Sequence, residues 1–235
     1  MKTLVAKALA ERVRDGDLLG LGSGTTTEAT LAEIGRRIAD EKIRVRGIAT
    51  SQRTSQLAAE VGITVLDAAT VAEVDWAFDG ADEVDPEFRM IKGRGGAMLA
   101  EKIVAAKAKH LVIVVTEEKL VNSLGANFAV PVEVLPMAQL LAQRELKRLG
   151  ASKLELRKSD KKYGPVITEF GNLIVDTSFS SISVTLENEI NSIPGVIENG
   201  IFSNFKPELL VAKSGGVFSR KLVSGKITET LVFKA

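Results

Sequence analysis

The sequence contains no cysteine and only one histidine among its 235 residues. Disulfide bonds and thiolate metal sites are therefore excluded, and such usage is typical of a reducing cytosolic compartment or of a heat-adapted source. Nothing completes a dedicated transition-metal site around His110, which begins an apolar run without any partner motif. We therefore expect His110 to have a structural role.

A charge excess and long apolar runs are lacking as well. Lys and Arg number 31 and Asp and Glu number 30, so the net charge of +1 provides no global field that would attract nucleic acid or an anionic membrane. No apolar run approaches the ~18–20 residues that span a bilayer, and charged residues such as Glu11 and Arg12 interrupt the N-terminal region before a signal peptide forms. We expect a cytoplasmic protein that binds neither nucleic acid nor membrane.

Short apolar runs alternate with longer helical patterns through about residue 120. This rhythm is typical of βαβ units, and the uninterrupted apolar run 111–115 indicates a strand buried on both faces of a parallel sheet. Polar residues follow several of the predicted strands, including Thr50, Ser51, Asp67 and Asp79. Because the carboxyl ends of parallel strands line the ligand crevice of such sheets, these positions are candidates for a binding site.

The pattern changes near Pro131, and five of the six prolines lie beyond residue 130. We predict a strand at 131–135, a helix at 137–149, a hairpin of strands 166–168 and 173–175, and a helix at 186–193. This order is typical of a small α+β, ferredoxin-like module. The sequence thus predicts an α/β protein, with a parallel-sheet, Rossmann-like catalytic domain over 1–128 and 207–235. A smaller ferredoxin-like domain over 129–206 is inserted before the C-terminal segment.

A turn rich in glycine and threonine follows the first predicted strand and opens a helix of roughly ten residues, with Ser23, Gly24, Thr25 and Thr26 at its centre. Backbone N–H groups at a helix N-terminus, with glycines that permit close approach and hydroxyls that add donors, form an anion site, and phosphate is the natural occupant. The turn matches neither the dinucleotide fingerprint nor the P-loop. The alternative is a ligand-free turn in which Thr25 and Glu28 form a capping box.

Three acids, Asp79, Asp82 and Asp85, are spaced by three residues around a glycine. An EF-hand needs acids at alternate positions, so a calcium site of that type is excluded, while Mg²⁺ remains compatible with the cluster. The alternative is a solvated acidic turn after a strand. Against it, Gly80 permits a turn that directs Asp79 and Asp82 into one space above the strand end.

A second glycine-rich loop begins at Lys92 and leads into a helix predicted over 97–108. Small residues surround Glu101 on that helix, so its carboxylate faces a cation of another element, a pocket or solvent. In a pocket it could take a proton from carbon next to a carbonyl, provided that a cation such as Lys92 stabilises the enediolate oxygen that forms.

Together these motifs resemble the A-type ribose-5-phosphate isomerases. The resemblance covers nearly the whole chain. It rests on Gly-Ser-Gly-Thr-Thr at 22–26, Asp-Gly-Ala-Asp-Glu at 79–83, Ile-Lys-Gly-Arg-Gly-Gly-Ala at 91–97, Glu-Lys at 101–102, Pro-Val-Glu-Val-Leu-Pro-Met-Ala at 131–138, Gly-Asn at 171–172 and Ile-Pro-Gly-Val at 193–196.

The resemblance implies interconversion of ribose 5-phosphate and ribulose 5-phosphate in the non-oxidative pentose phosphate pathway, without metal or organic cofactor, by a homodimer or homotetramer. It also implies that Glu101 is the base that abstracts a proton, accompanied by Asp79, Asp82 and Lys92. The implied substrate-binding residues are Ser23, Gly24, Thr25, Thr26, Gly80, Ala81, Gly93, Arg94, Gly95, Lys119 and Lys2. The chain departs from the family pattern at Arg94, which is often glycine, and near Thr116, where many members have an acid.

Two other classes of function fit a similar sheet: a non-catalytic sensor and an enzyme of another chemistry. A sugar-phosphate sensor would bind the ligand without needing Glu101 or Lys92. A phosphosugar deaminase or an acyl-CoA transferase would use other chemistry, and a single histidine counts against deaminases that use one for ring opening.

Overall fold

The computed structural model describes residues 1–159 and 162–234. The helices are α1 (Lys2–Ala10), α2 (Thr25–Glu41), α3 (Gln52–Glu60), α4 (Met98–Lys107), α5 (Gln139–Arg148) and α6 (Leu186–Asn191). The strands are β1 (Leu18–Leu21), β2 (Arg46–Ala49), β3 (Thr64–Val65), β4 (Trp76–Gly80), β5 (Glu83–Val84), β6 (Met90–Ile91), β7 (Leu111–Thr116), β8 (Val130–Val134), β9 (Ala151–Leu156), β10 (Leu173–Phe179), β11 (Val196–Asn199), β12 (Ile201–Phe202), β13 (Glu208–Lys213), β14 (Gly216–Val223) and β15 (Lys226–Lys234).

The chain forms two compact units. Unit 1 contains Met1–Ala81, Ala100–Lys119 and the residues from Phe205 onward, and unit 2 contains Asp82–Leu99 and Leu120–Asn204. The units differ from the predicted domains chiefly in the segment 82–99, which belongs to the smaller unit. Its strands β5 and β6 pair with each other, and β6 also pairs with β12. This three-stranded sheet draws the segment into unit 2.

Unit 1 is built on one eight-stranded sheet in the order β15-β14-β13-β7-β4-β1-β2-β3. The six strands from β13 to β3 are parallel, and β14 and β15 continue the sheet in antiparallel pairing. This arrangement confirms the predicted parallel-sheet, Rossmann-like fold. It brings the carboxyl ends of β1, β2, β4 and β7 to one edge, where the polar residues that follow these strands are gathered.

Helix α4 packs unusually closely on the strands of unit 1. A Cβ atom placed on Gly20 in β1 would lie 2.5 Å from the Cβ of Ala77 and 2.6 Å from Cγ1 of Val104, which belongs to α4. Only glycine allows this approach, because any larger residue would push the helix away. Glu101 lies one turn before Val104 on the same helix, so the contact at Gly20 holds the helix segment that carries Glu101.

Unit 2 contains a βαββαβ module formed by β8, α5, β9, β10, α6 and β11. Its antiparallel sheet has the order β11-β8-β10-β9, which is the ferredoxin-like arrangement predicted from the sequence. The predicted hairpin was wrong in one strand, because β10 pairs with β9 and the segment 166–168 contributes only the isolated bridge between Ile167 and Leu173. Strand β9 lies at the sheet edge and is rich in polar residues, so it lacks the apolar run that marks a buried strand.

Strand β13 is fully buried along its centre and pairs with β7, which places the C-terminal segment in unit 1. Beyond it, the β14–β15 hairpin exposes much of its length, including apolar side chains that are 40–55% exposed: Leu222, Val223, Ile227, Leu231 and Val232. Among the described residues, no helix is long and apolar enough to cross a membrane.

Candidate active site

Asp79 is the last residue but one of strand β4 and is held by the turn that follows β1. Its Oδ1 accepts hydrogen bonds from the backbone N–H of Ser23 at 3.1 Å and of Gly80 at 2.8 Å. A Cβ atom on Gly22 would lie 2.3 Å from both Cγ and Oδ1 of Asp79, so this position must be glycine for the carboxylate to fit. The glycine turn and the first acid of the acidic loop therefore form one structure within unit 1.

A cluster of hydroxyl groups surrounds Ser23, and the sequence did not single out all of its members. The Oγ of Ser23 lies 2.8 Å from Oγ1 of Thr50, 2.8 Å from Oγ of Ser51 and 3.2 Å from Oγ1 of Thr54. Thr54 also donates to the carbonyl oxygen of Gly22 at 2.9 Å. Ser51 is the N-cap of α3 and accepts from the N–H of Thr54, so the capping pattern Ser-x-x-Thr was the available signal.

The helix that follows the turn is longer than predicted, because α2 comprises 17 residues. Its N-cap is Gly24, with φ +114°, and no side chain caps the helix, so the alternative capping box of Thr25 and Glu28 does not form. Glu28 instead lies 3.4 Å from Nε of Arg53. Thr25 accepts a hydrogen bond from Nζ of Lys2 at 2.8 Å, which places an ammonium group beside the N-terminus of α2.

The remaining predicted residues of unit 1 lie near the ends of strands or in the first turn of α4. Glu101 is in that first turn and is buried, with an exposed fraction of 6%. Gly80 and Ala81 end or follow β4, and Lys119 ends the short 3₁₀ turn after β7. This burial excludes the alternative in which the Glu101 carboxylate faces bulk solvent.

Unit 2 brings together the other predicted residues through the β5–β6 pair. The backbone N–H of Asp82 donates to the carbonyl oxygen of Ile91 at 2.8 Å, and Oδ2 of Asp82 accepts from the N–H of Arg94 at 3.1 Å. Lys92 is 4% exposed, and its Nζ lies 5.5 Å from the ring centroid of Phe202. An ammonium group at this distance from an aromatic face is attracted to the ring.

The residues between Lys92 and the helix follow an irregular path. Gly93 has φ +96°, and a Cβ atom there would lie 2.7 Å from the Cβ of Met98. Gly95 follows without a positive φ. The guanidinium carbon of Arg94 lies 5.3 Å from the ring centroid of Phe128, so this departure from the family pattern is accommodated by a cation–π contact.

Two acids of the acidic loop have structural roles in unit 2. Asp85 accepts hydrogen bonds from the N–H groups of Glu87 and Arg89 and from Nε of Arg89 at 2.7 Å, so it stabilises its own turn. Glu83 accepts from backbone N–H groups of the segment 125–128. In residues 1–159 and 162–234, no three histidine, aspartate or glutamate side chains converge as a metal site.

The comparisons with known proteins decide the family. The family model described as ribose 5-phosphate isomerase A (phosphoriboisomerase A) matches residues 46–216. The chain belongs to this family. A ribose-5-phosphate isomerase A of Synechococcus sp. (strain CC9605) is 45% identical over 217 residues, which cover 91% of this chain and 90% of that relative.

Solved structures agree with the family. Ribose 5-phosphate isomerase A from Methanocaldococcus jannaschii superposes with a TM-score of 0.89 at 42% identity, covering 94% of this chain and 97% of that chain. A D-ribose-5-phosphate isomerase in complex with phospho-erythronic acid superposes with a TM-score of 0.86 at 36% identity, covering 98% and 97%. The resemblance predicted from the motifs is confirmed, and the chain is an isomerase of the pentose phosphate pathway that interconverts ribose 5-phosphate and ribulose 5-phosphate.

Proposed function

We propose that the chain carries out this aldose–ketose isomerisation by proton transfer through a cis-enediolate, with Glu101 as the base. The observation that supports the proposal most strongly is the burial of Glu101 in the first turn of α4, on a helix segment held close to β1 by Gly20. A carboxylate kept away from bulk water and fixed by a rigid helix can take a carbon-bound proton and return it without loss to solvent.

The other polar residues have complementary roles in the proposal. When the furanose opens, the bond between C1 and the ring oxygen breaks, and Asp79 or Asp82 passes the proton of the C1 hydroxyl to the ring oxygen. Glu101 then takes the proton from C2, and Lys92 stabilises the negative O1 of the enediolate. The hydroxyl proton of O2 passes to O1 as Glu101 delivers its proton to C1, which leaves the ketone at C2. Burial of the Lys92 ammonium supports this role, since a charge in a site poor in water stabilises an oxyanion more strongly than one in water does.

The phosphate binds, in the proposal, at the N-terminus of α2. Ser23, Gly24, Thr25 and Thr26 supply backbone N–H groups and hydroxyls there, and the Lys2 ammonium, hydrogen-bonded to Thr25, adds a positive charge. Binding energy from this remote group orients the reacting carbons. The remaining residues proposed to contact the substrate are Gly80, Ala81, Gly93, Arg94, Gly95 and Lys119.

The solved relative with phospho-erythronic acid supports this chemistry. That ligand carries a phosphate at one end and a planar carboxylate at the other, and the carboxylate resembles an enediolate in charge and shape. We propose that the same class of compound binds this chain and inhibits it, since a site complementary to the intermediate binds its analogues more tightly than the substrate.

The replacement Glu101→Gln tests the base. It keeps the size and the hydrogen-bonding reach of the side chain but removes the proton acceptor, so we expect kcat to fall by about 10²–10⁴-fold, with KM within about threefold of the wild-type value. Glu118→Gln, which changes an exposed acid of the same unit, is the matched control. Ketose formation is measured with metal-stripped protein, and a Glu101→Gln variant that keeps most of its activity would refute the assignment.

We also propose that the chain forms a cytoplasmic homodimer or homotetramer. The exposed apolar side chains of the β14–β15 hairpin support self-association, because a two-stranded ribbon that is open to solvent gains stability when another surface covers it. Light scattering after size-exclusion chromatography tests this, with Ile227→Lys as the variant expected to lower the mass. An unchanged mass for Ile227→Lys would exclude this hairpin as the contact.

A further inference from the structure

One arginine of unit 2 contacts the backbone of the glycine-rich loop. Nη1 of Arg157 donates hydrogen bonds to the carbonyl oxygen of Gly93 at 2.8 Å and to that of Arg94 at 3.0 Å. The other side of the same guanidinium engages Asp176 in β10: Nε donates to Oδ2 at 2.9 Å, and Nη2 donates to Oδ1. A single planar group therefore connects a sheet strand to the residues directly after Lys92.

The loop needs such contacts, because its glycines leave the backbone conformationally free. Besides the bonds from Arg157, the N–H of Arg94 donates to Asp82, and the N–H of Gly96 donates to the carbonyl oxygen of Gly93 at 3.0 Å. Gly93 and Gly96 have φ of +96° and +83°, conformations that only glycine adopts easily, and Gly95 adds further freedom. Glycines lose more conformational entropy on folding than other residues, so an ordered glycine-rich loop requires fixed hydrogen bonds. The bonds from Arg157 anchor two successive carbonyl groups of the loop.

The sheet in turn holds the guanidinium in place. Arg157 directly follows β9, and its backbone N–H donates to the carbonyl oxygen of Ile174 at 2.9 Å. Its side chain is 15% exposed, and the carboxylate of Asp176 balances its charge in this half-buried position. Two parallel hydrogen bonds to one carboxylate fix the orientation of the guanidinium as well as its distance from Asp176.

We propose that Arg157, braced by Asp176, is a positioning residue for the isomerisation: it fixes the loop after Lys92 and so sets the place of the Lys92 ammonium. This inference rests on the proposed role of Lys92 in stabilising the enediolate oxygen. A lysine at position 157 keeps the charge, but a single ammonium cannot serve both carboxylate oxygens and both carbonyls. The geometry of the guanidinium, more than its charge, carries the effect.

Steady-state kinetics of Arg157→Ala, Arg157→Lys and Asp176→Asn form the first test. Misplacement of a catalytic group by about 1 Å can lower the rate by about 10²-fold, so we expect kcat to fall by about 10–100-fold. KM should stay within about threefold, because the phosphate is proposed to bind at 22–26, whereas Arg157 holds the backbone after Lys92. Arg148→Ala, which removes a guanidinium paired with Glu145 on α5, is the matched control and should leave kcat unchanged.

Chemical rescue separates positioning from general stability. Added ethylguanidinium should restore part of kcat to Arg157→Ala, while ethylammonium at the same concentration should not. A loss of kcat that neither cation restores, together with an equal loss in Arg148→Ala, would show that the effect is not specific to this guanidinium. If Arg157→Ala does not fold, Arg157→Lys and Asp176→Asn test the positioning role. In both variants kcat should fall while KM stays within about threefold.

Trypsin provides a readout that does not depend on activity. Cleavage after Arg94 in the folded protein requires the loop to open, so Arg157→Ala should be cut there at least about tenfold faster than the wild type and the Arg148→Ala control. Equal cleavage rates would overturn the proposed anchoring. If wild-type protein lacks isomerase activity, the proposed function is wrong, but the trypsin cleavage rates still test whether Arg157 holds the loop. If the loop loosens but kcat is unchanged, the positioning role is wrong.

Discussion

Glu83 is the last residue of the Asp-Gly-Ala-Asp-Glu motif. Its hydrogen bonds contribute to the free energy of unfolding, and a substitution can measure that contribution. Its side chain is completely buried, with an exposed fraction of 0%. Oε2 accepts from the N–H of Gly125 at 2.6 Å, and Oε1 accepts from the N–H of Asn127 and, at 3.0 Å, from that of Phe128. In the part of the chain that the structure describes, backbone N–H groups rather than a cation satisfy this carboxylate.

The replacement Glu83→Gln keeps the shape but exchanges one acceptor for a donor. The amide oxygen can retain the hydrogen bonds from the N–H groups of Asn127 and Phe128. The NH₂ group then faces the N–H of Gly125, so two donors meet and no hydrogen bond forms between them. A hydrogen bond to a charged group contributes about 1.5–3 kcal/mol, and a buried donor left unpaired costs about 1–3 kcal/mol. Because these two quantities partly describe the same loss, we expect the free energy of unfolding to fall by about 3 kcal/mol.

Thermal unfolding followed by circular dichroism measures this change. For a protein of this size, 1 kcal/mol shifts Tm by about 2–4 °C, so Glu83→Gln should melt about 6–12 °C below the wild type. Glu87→Gln is the control, because the Glu87 side chain is 69% exposed and should change stability by less than about 0.5 kcal/mol. Amide hydrogen exchange should also accelerate at Gly125. A Glu83→Gln variant that melts with the control would show that the three N–H groups do not depend on the carboxylate.

Three further predictions concern unit 1. Gly22→Ala should lower kcat at least about tenfold and stability by about 1–3 kcal/mol, because the new Cβ displaces Asp79; a variant with normal kinetics would contradict this. Thr54→Val should raise KM about fivefold with little change in kcat, and Thr54→Ser should restore it, since the hydroxyl bonded to the Gly22 carbonyl is worth about 1 kcal/mol. Burial alone would raise the pKa of Glu208, but hydrogen bonds from Arg12 and Ser219 lower that pKa below its ordinary value of 4.5. A lowered pKa stabilises the fold above pH 4.5, and this stabilisation is lost as pH falls through the folded-state pKa, so unfolding titrations should show a weaker acid dependence for Glu208→Gln than for the wild type.

Much of the fold could be predicted because its signals are local. The apolar run of β7 and the βαβ rhythm report burial on two sheet faces, and both appear in the eight-stranded sheet. The order of elements beyond Pro131 likewise predicted the ferredoxin-like module. The hairpin partner of β10 was missed, because β9 is a polar edge strand whose pattern resembles that of a surface loop.

The residues of the candidate site also differ in whether a local sequence signal marks them. Short motifs sufficed to select Glu101, Lys92, Asp79 and the threonine turn, since each motif is contiguous in the chain. The resemblance also selected Asp82 and left out Asp85; Asp82 accepts from the Arg94 backbone, whereas Asp85 stabilises its own turn.

The sequence by itself determined the family, the parallel sheet and the residue types available for proton transfer. Only the tertiary structure decided that Thr54 supports the glycine turn, that Glu83 anchors a distant segment and that Arg157 grips the loop after Lys92. The physical reason is that these contacts join side chains to backbone groups 32 to 64 residues away. Backbone carbonyl and N–H groups are the same at every position, so no residue pattern records which of them a side chain will meet.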